Sequence, residues 1–236
     1  MGMLKLILAD AAISFLWVFC TSCIGAATEI IASCAGVEGD RKFYIVFGLI
    51  ALLIVVFSAL AQAIGGASWN PTAVLAFSGV GVGDSIFNLA LRIPAQAVGS
   101  AAGALAIFEL MPSSFKRTLG GPSLKVDLRT GAIAEGLLSF IMSFVVLWAV
   151  LRGPRNAALK SGIIISTTIA LIVLGSGYTG PAMNPANAFA WAYVNKSHNT
   201  NEHLYVYWLT PLLGSLAASM VFKRMFALGQ NKEKTA

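Results

Sequence analysis

Six long apolar stretches dominate this chain, and few folds can accept them. They run approximately Leu4–Gly25, Phe43–Ala63, Leu91–Met111, Gly131–Leu151, Ala157–Leu174 and Leu204–Phe226. A helix needs roughly 20 mostly apolar residues to cross the hydrocarbon layer of a bilayer, and each stretch meets or approaches that length. Hydrophobic residues make up 57% of the 236 positions and charged residues only 11%, too few charges to cover a water-soluble domain of this size. The fold class expected is an all-α membrane bundle of six spans. The first stretch could be mistaken for a secretory signal, but without it five spans would remain and the internal symmetry described below would be lost. The spans leave no room for a separate soluble domain, so residues 1–236 are expected to form one transmembrane domain with a short tail over 229–236.

Charge placement fits this count. Of 26 charged residues only eight fall inside the six stretches, and six of those, Arg92 among them, lie within about one turn of an end, where a long side chain can snorkel to the interface. Lys and Arg divide nine to seven between the two sides. The short loop Arg152–Lys160 tips this toward both termini being cytoplasmic. The net charge of +6 is explained by contact with anionic lipid headgroups. No basic helix with interleaved aromatics points to nucleic acid.

Two further apolar stretches, about Asn70–Ser78 and Asn184–Tyr193, are too short to cross. Each begins with Asn-Pro, and Asn favours the N-cap while Pro favours the first helical position. A helix of this length is about 14 Å long, half the hydrocarbon thickness. Two such helices entering from opposite faces would meet near the midplane with their positive ends facing. The irregular segments before them, Gly65-Gly66-Ala67-Ser68 and Gly175-Ser176-Gly177-Tyr178-Thr179-Gly180, are tolerated at that depth only if buried in protein or lining a watery path. A pore follows from this geometry. One Asn-Pro alone would read as an ordinary turn. Two at matching places, each preceded by an acid early in a span (Asp10 and Glu135), define a repeat of approximately 1–112 and 131–228. Three spans per half require the halves to be inverted.

Asp10 and Glu135 admit two readings, a proton relay or a carboxylate that accepts hydrogen bonds from the irregular backbone. Their symmetry favours the structural reading. Cys20 and Cys23 form a Cys-x-x-Cys inside an apolar helix, where packing is expected rather than redox chemistry. Gly79-Val80-Gly81-Val82-Gly83 follows no strand and reads as a connector, not a phosphate loop. His198 and His203 lack partners at metal-ligand spacing and are expected to be solvated loop or interface residues. Tyr205, Tyr207 and Trp208 read as an interfacial belt, and Asn195-Lys196-Ser197 as a sequon too near the membrane for ready use. Nothing resembles a nucleophile with an oriented base, so no enzyme, cofactor or metal site is expected.

With these residues placed, the chain resembles the aquaporin (major intrinsic protein) family, whose signature is a pair of Asn-Pro-Ala boxes. The second is intact as Asn184-Pro185-Ala186; the first reads Asn70-Pro71-Thr72. Asp10 stands where the family usually has Glu, Glu135 matches its partner, and Tyr207-Trp208 with Pro211 and Gly214 resembles the last helix. Within the family it is most similar to the small basic intrinsic proteins of plants.

The resemblance implies a passive channel for water and small neutral solutes, a homotetramer with one pore per subunit, and residence in the endoplasmic reticulum membrane. It places the selectivity filter at Leu53, Ile172, Pro181 and Asn187. Asn187 occupies the position where most of the family has Arg, so this filter carries no fixed charge. Thr72, in place of Ala, is expected to find a local backbone partner for its hydroxyl. Two other readings remain open at this point: a secondary transporter with broken helices, and a membrane-organising protein with a closed pore.

Overall fold

The computed structural model describes residues 2–226; the tail expected over 229–236 lies outside them. Regular structure among these residues is helical throughout. The helices are α1 (Met3–Ser22), α2 (Ile24–Ala35), α3 (Lys42–Ala63), α4 (Pro71–Gly79), α5 (Ile86–Leu110), α6 (Leu128–Leu151), α7 (Ala157–Gly175), α8 (Pro185–Val194), α9 (Asn201–Leu204) and α10 (Thr210–Met225). Six helical segments are long and apolar enough to cross a membrane, as the six stretches required.

The first span is longer than expected. Helix does not stop at Gly25 but continues through a break at Cys23 to Ala35, 33 residues in all. Hydropathy falls near Thr28 and Glu29, yet neither residue ends a helix; Gly36, at φ 64, does. Thirty-three residues rise about 50 Å against a hydrocarbon thickness of about 30 Å, so the end of this rod projects outward. There Glu29 pairs with Lys42 at 2.8 Å.

The last span begins earlier than expected, at Asn201, and is interrupted by a π turn over Tyr205–Leu209. Pro211 has no N–H to return to the Tyr207 carbonyl. The Thr210 N–H instead reaches back five residues to the Tyr205 carbonyl.

Small residues let the rods approach closely, as membrane packing without a hydrophobic drive requires. A Cβ on Gly99 of α5 would collide with the backbone of Ala11 on α1, and one on Gly103 with that of Phe15. The second half repeats this: a Cβ on Gly214 of α10 would strike the Gly136 carbonyl of α6. Buried serines, including Ser14 and Ser100 in one half and Ser139 and Ser215 in the other, continue these tight seams. Large apolar side chains such as Leu4, Leu8, Ile86 and Phe87 lie on the outside instead. That is the reverse of a soluble protein and suits contact with lipid.

Candidate pore

The short helices start where the Asn-Pro pairs required. Asn70 caps α4 by accepting the Thr72 N–H at 2.9 Å, and Asn184 caps α8 by accepting those of Ala186 at 3.1 Å and Asn187 at 3.3 Å. Since each Oδ1 accepts, each Nδ2 points away from its own helix. Asn70 Nδ2 donates to the Met183 carbonyl at 3.0 Å, and Asn184 Nδ2 donates to the Trp69 carbonyl at 2.9 Å. Met183 and Trp69 are the residues immediately before Asn184 and Asn70. Each half therefore holds the other at its box, and the two N-termini meet tip to tip. Each amide keeps a second hydrogen not used in this clamp.

Thr72 corrects an expectation. Its hydroxyl does not serve a purely local backbone group; it lies 2.8 Å from Asn70 Oδ1 and 3.3 Å from the Met183 carbonyl across the junction. The first box is thus tied to the second half by a hydroxyl that Ala186 lacks.

Beside the junction runs a cavity of about 720 Å³. Asn70, Thr72, Asn184 and the four filter residues expected from the sequence, Leu53, Ile172, Pro181 and Asn187, all line it. Pro71, Pro185 and Ala186 are buried behind it, fixing the first turns of the half-helices. Its wall is mostly apolar, with Ile24, Ile50, Ile54, Val146 and Ile164 among the lining, and among the described residues it includes no Asp, Glu, Lys, Arg or His. Its polar groups are uncharged, the amides of Gln62, Asn70, Asn184 and Asn187 and hydroxyls such as those of Ser58, Thr72, Ser143 and Thr168.

Asp10 and Glu135 are both fully buried and neither lines the cavity. Glu135 accepts from the Thr179 hydroxyl and the Ala182 N–H, both at 2.8 Å, and from the Met183 N–H at 3.0 Å. It holds the segment before α8, where Met183 adopts a left-handed φ of 45. Asp10 accepts the Ser68 N–H at 2.8 Å before α4. Its remaining partners were not foreseen: Arg92 Nε at 2.6 Å, Arg92 Nη2 at 2.8 Å and Gln96 Nε2 at 3.0 Å. Arg92 also bonds Asp84 and, at 3.2 Å, the Gly66 carbonyl. Its side chain is buried, so Arg92 does not snorkel as its place near a span end suggested. The signal available was Asp84 eight positions earlier and an Asp where the resemblance expects the longer Glu.

Two readings near the last helix are corrected. His203 is not solvated; it is 3% exposed, and its Nε2 accepts the Trp208 indole N–H at 2.9 Å. Tyr207 is not an interfacial residue. It is buried and donates to the Thr179 carbonyl at 2.9 Å, bracing the loop that Glu135 holds. Tyr207 lies within the π turn, while His203 lies before it in α9 and packs on Phe189 of α8. Tyr205 stays exposed, as a belt residue would. Cys20 packs beside Ile13 and Phe57, and Cys23 beside Ala26 and Ile107, in keeping with a packing role.

Six spans around an uncharged path, with two opposed half-helices meeting beside it, define a polytopic membrane channel rather than an enzyme. The profile of the major intrinsic protein family matches residues 1–222. The chain is 50% identical over 224 residues to aquaporin SIP1-1 of Oryza sativa subsp. japonica, covering 92% of this chain and 91% of that protein. It is 48% identical to aquaporin SIP1-1 of Zea mays, covering 96% and 94%. The aquaglyceroporin of Plasmodium falciparum is similar in fold, with a TM-score of 0.68 over 93% of this chain and 95% of that one at 18% identity. The chain belongs to the major intrinsic protein family, the aquaporins, and is a passive membrane channel.

Proposed function

We propose that water, and small neutral solutes with it, passes along the cavity beside Asn70 and Asn184. The observation that carries this reading is the reciprocal clamp of the two Asn side chains on an uncharged lumen. One hydrogen of each Nδ2 is spent on the clamp, which fixes the direction of the other toward a permeating molecule. A water accepting from both amides is turned so that its own hydrogens point away along the path, which interrupts a proton-conducting chain. The N-termini of α4 and α8 add positive potential at the same point. Leu53, Ile172, Pro181 and Asn187 act as the filter, and because they bring no fixed charge, cation exclusion falls on the half-helix dipoles.

Asp10 and Glu135 are structural carboxylates in this reading, since they stand behind the loops and outside the lumen. A coupled transporter would need titratable groups on the path, and the lining described above supplies none. The matched boxes, anchors and glycine seams support two inverted repeats, approximately 1–112 and 131–228. Likeness to the small basic intrinsic proteins supports a homotetramer in the endoplasmic reticulum membrane, and the basic loop Arg152–Lys160 supports both termini being cytoplasmic.

Stopped-flow light scattering on proteoliposomes tests the reading. Osmotic permeability well above that of empty vesicles is expected, without saturation and without dependence on a pH or sodium gradient. Permeability equal to empty vesicles would sink it. A fluorescent fusion tests the membrane of residence.

A further inference from the structure

At the level of the boxes the lumen wall differs between the two halves. In the first half Trp69, immediately before Asn70, stacks on Trp17 of α1 with ring centroids 5.0 Å apart and planes 27° apart. Phe57 of α3 meets both rings edge-on, at 5.2 Å from Trp17 and 5.9 Å from Trp69, and is itself 2% exposed. In the second half the corresponding residues are Met142, which follows Glu135 at the same spacing by which Trp17 follows Asp10, and Met183, immediately before Asn184. All four line the lumen.

The two sides respond differently to a passing molecule. An unbranched thioether side chain yields by rotating, whereas an indole in a three-ring cluster does not. Trp69 is further fixed because its carbonyl accepts the Asn184 amide at 2.9 Å. The lumen here is therefore polar where Asn70 and Asn184 stand and rigidly aromatic on the Trp17 and Trp69 side. A water can satisfy itself with the two amides and its neighbours in file. A polyol, wider than water and with hydroxyls on every carbon, must pass ring faces that do not yield and gives up hydrogen bonds there that the single N–H of each indole cannot replace, which is costly.

We propose that Trp17 and Trp69, with Met142 and Met183, form a second selecting collar at the boxes, and that this collar, rather than the ring at Pro181 and Asn187, excludes polyols while passing water. The inference rests on the conduction reading above and assigns the residues that set its solute limit.

The test measures glycerol and water permeability of the full chain in liposomes. Trp17→Leu and Trp69→Leu are each expected to raise the glycerol-to-water ratio about tenfold, the scale on which a fitted apolar wall discriminates. Trp69→Phe, which keeps a ring, should give a smaller rise, and with Trp17→Leu it carries the test if Trp69→Leu does not assemble. Water flux with an unchanged ratio in the Trp variants overturns the collar alone. So does a larger rise from Pro181→Ala, which opens the outer ring, than from either Leu variant. No water flux in the unaltered protein overturns the conduction reading and the collar with it.

Discussion

Asp10 and Glu135 do the same task in the two halves by different chemistry. Glu135 meets only neutral donors, two backbone N–H groups and a hydroxyl. Asp10, one methylene shorter, reaches a single loop N–H, that of Ser68, and its remaining acceptor capacity is filled by Arg92 and Gln96. Arg92 then extends the network to Asp84 beyond α4 and to the Gly66 carbonyl before it. The first half-helix is thus locked at both ends by one buried cation, while the second is held at its entry by a carboxylate and braced by Tyr207. Equivalent positions can keep the same backbone geometry with or without a buried ion pair. The difference lies in what is left behind when one member is removed.

The largest effect should come from breaking the ion network. Asp10→Ala leaves the Arg92 guanidinium buried with Asp84 as its remaining carboxylate, and losing one partner of a buried pair costs about 3–5 kcal/mol. Asp10→Ala is expected to lower the thermal midpoint in detergent sharply and to abolish water flux. Arg92→Met in that background should cost less than it does alone, because the cation it removes is no longer compensated. Additive costs in this double-mutant cycle would show that Asp10 and Arg92 are not coupled.

The glycine seams should be hit next, and here the halves should agree. Gly99→Val and Gly214→Val each drive a side chain into a neighbouring backbone, of Ala11 and Gly136 respectively. Overpacking of this kind costs about 1–3 kcal/mol or more. Comparable losses of folded protein on size-exclusion chromatography are expected. A tolerant Gly214 beside an intolerant Gly99 would mean that the halves differ in packing as well as in electrostatics.

Glu135→Gln should fall below Asp10→Ala. It keeps one carbonyl oxygen but presents an NH₂ to a donor, and leaving one or two buried donors unpaired costs about 1–3 kcal/mol. No buried cation is stranded. A Glu135→Gln protein that is less stable than Asp10→Ala in a thermal melt would reverse the ranking and the account of the two anchors with it.

How much of this could be read from the chain follows physical lines. Asn70, Asn184, Asp10 and Glu135 were legible because Asn-Pro carries its own helix-start chemistry and because an acid inside an apolar run must find donors. The matching spacing of the two sets then did the rest. Arg92 was not legible, since near a span end an Arg ordinarily reaches the interface, and only the fold brings Asp84 and Asp10 to it. Trp17 was hidden differently. Spans that are apolar all round carry no periodic mark of which face meets lipid and which meets the lumen, so a tryptophan there reads as generic bulk. Tyr207 is not legible because the π turn at Tyr205–Leu209, set by Pro211, changes the facing of the residues it contains, and His203 is not because only the fold brings Phe189 and Trp208 against it. The end of the first helix was missed because hydropathy marks where lipid stops, not where helix stops.

The smallest expected effect separates the boxes themselves. Thr72→Ala makes the first box read as the second, removing a hydroxyl that lies between Asn70 Oδ1 and the Met183 carbonyl. Asn70 keeps its cap on the Thr72 N–H, because that bond is to the backbone, and its Nδ2 keeps the Met183 carbonyl. What is lost is the one hydrogen bond the hydroxyl can donate, shared between Asn70 Oδ1 and the Met183 carbonyl across the junction, about 1 kcal/mol. The Met183 carbonyl then rests on Asn70 alone, as the Trp69 carbonyl already rests on Asn184 alone. Water permeability is therefore expected to stay within about twofold of the unaltered protein, which corresponds to less than that single bond. A loss of flux beyond about tenfold would mean that the hydroxyl, rather than the Asn pair, sets the register of the two half-helices.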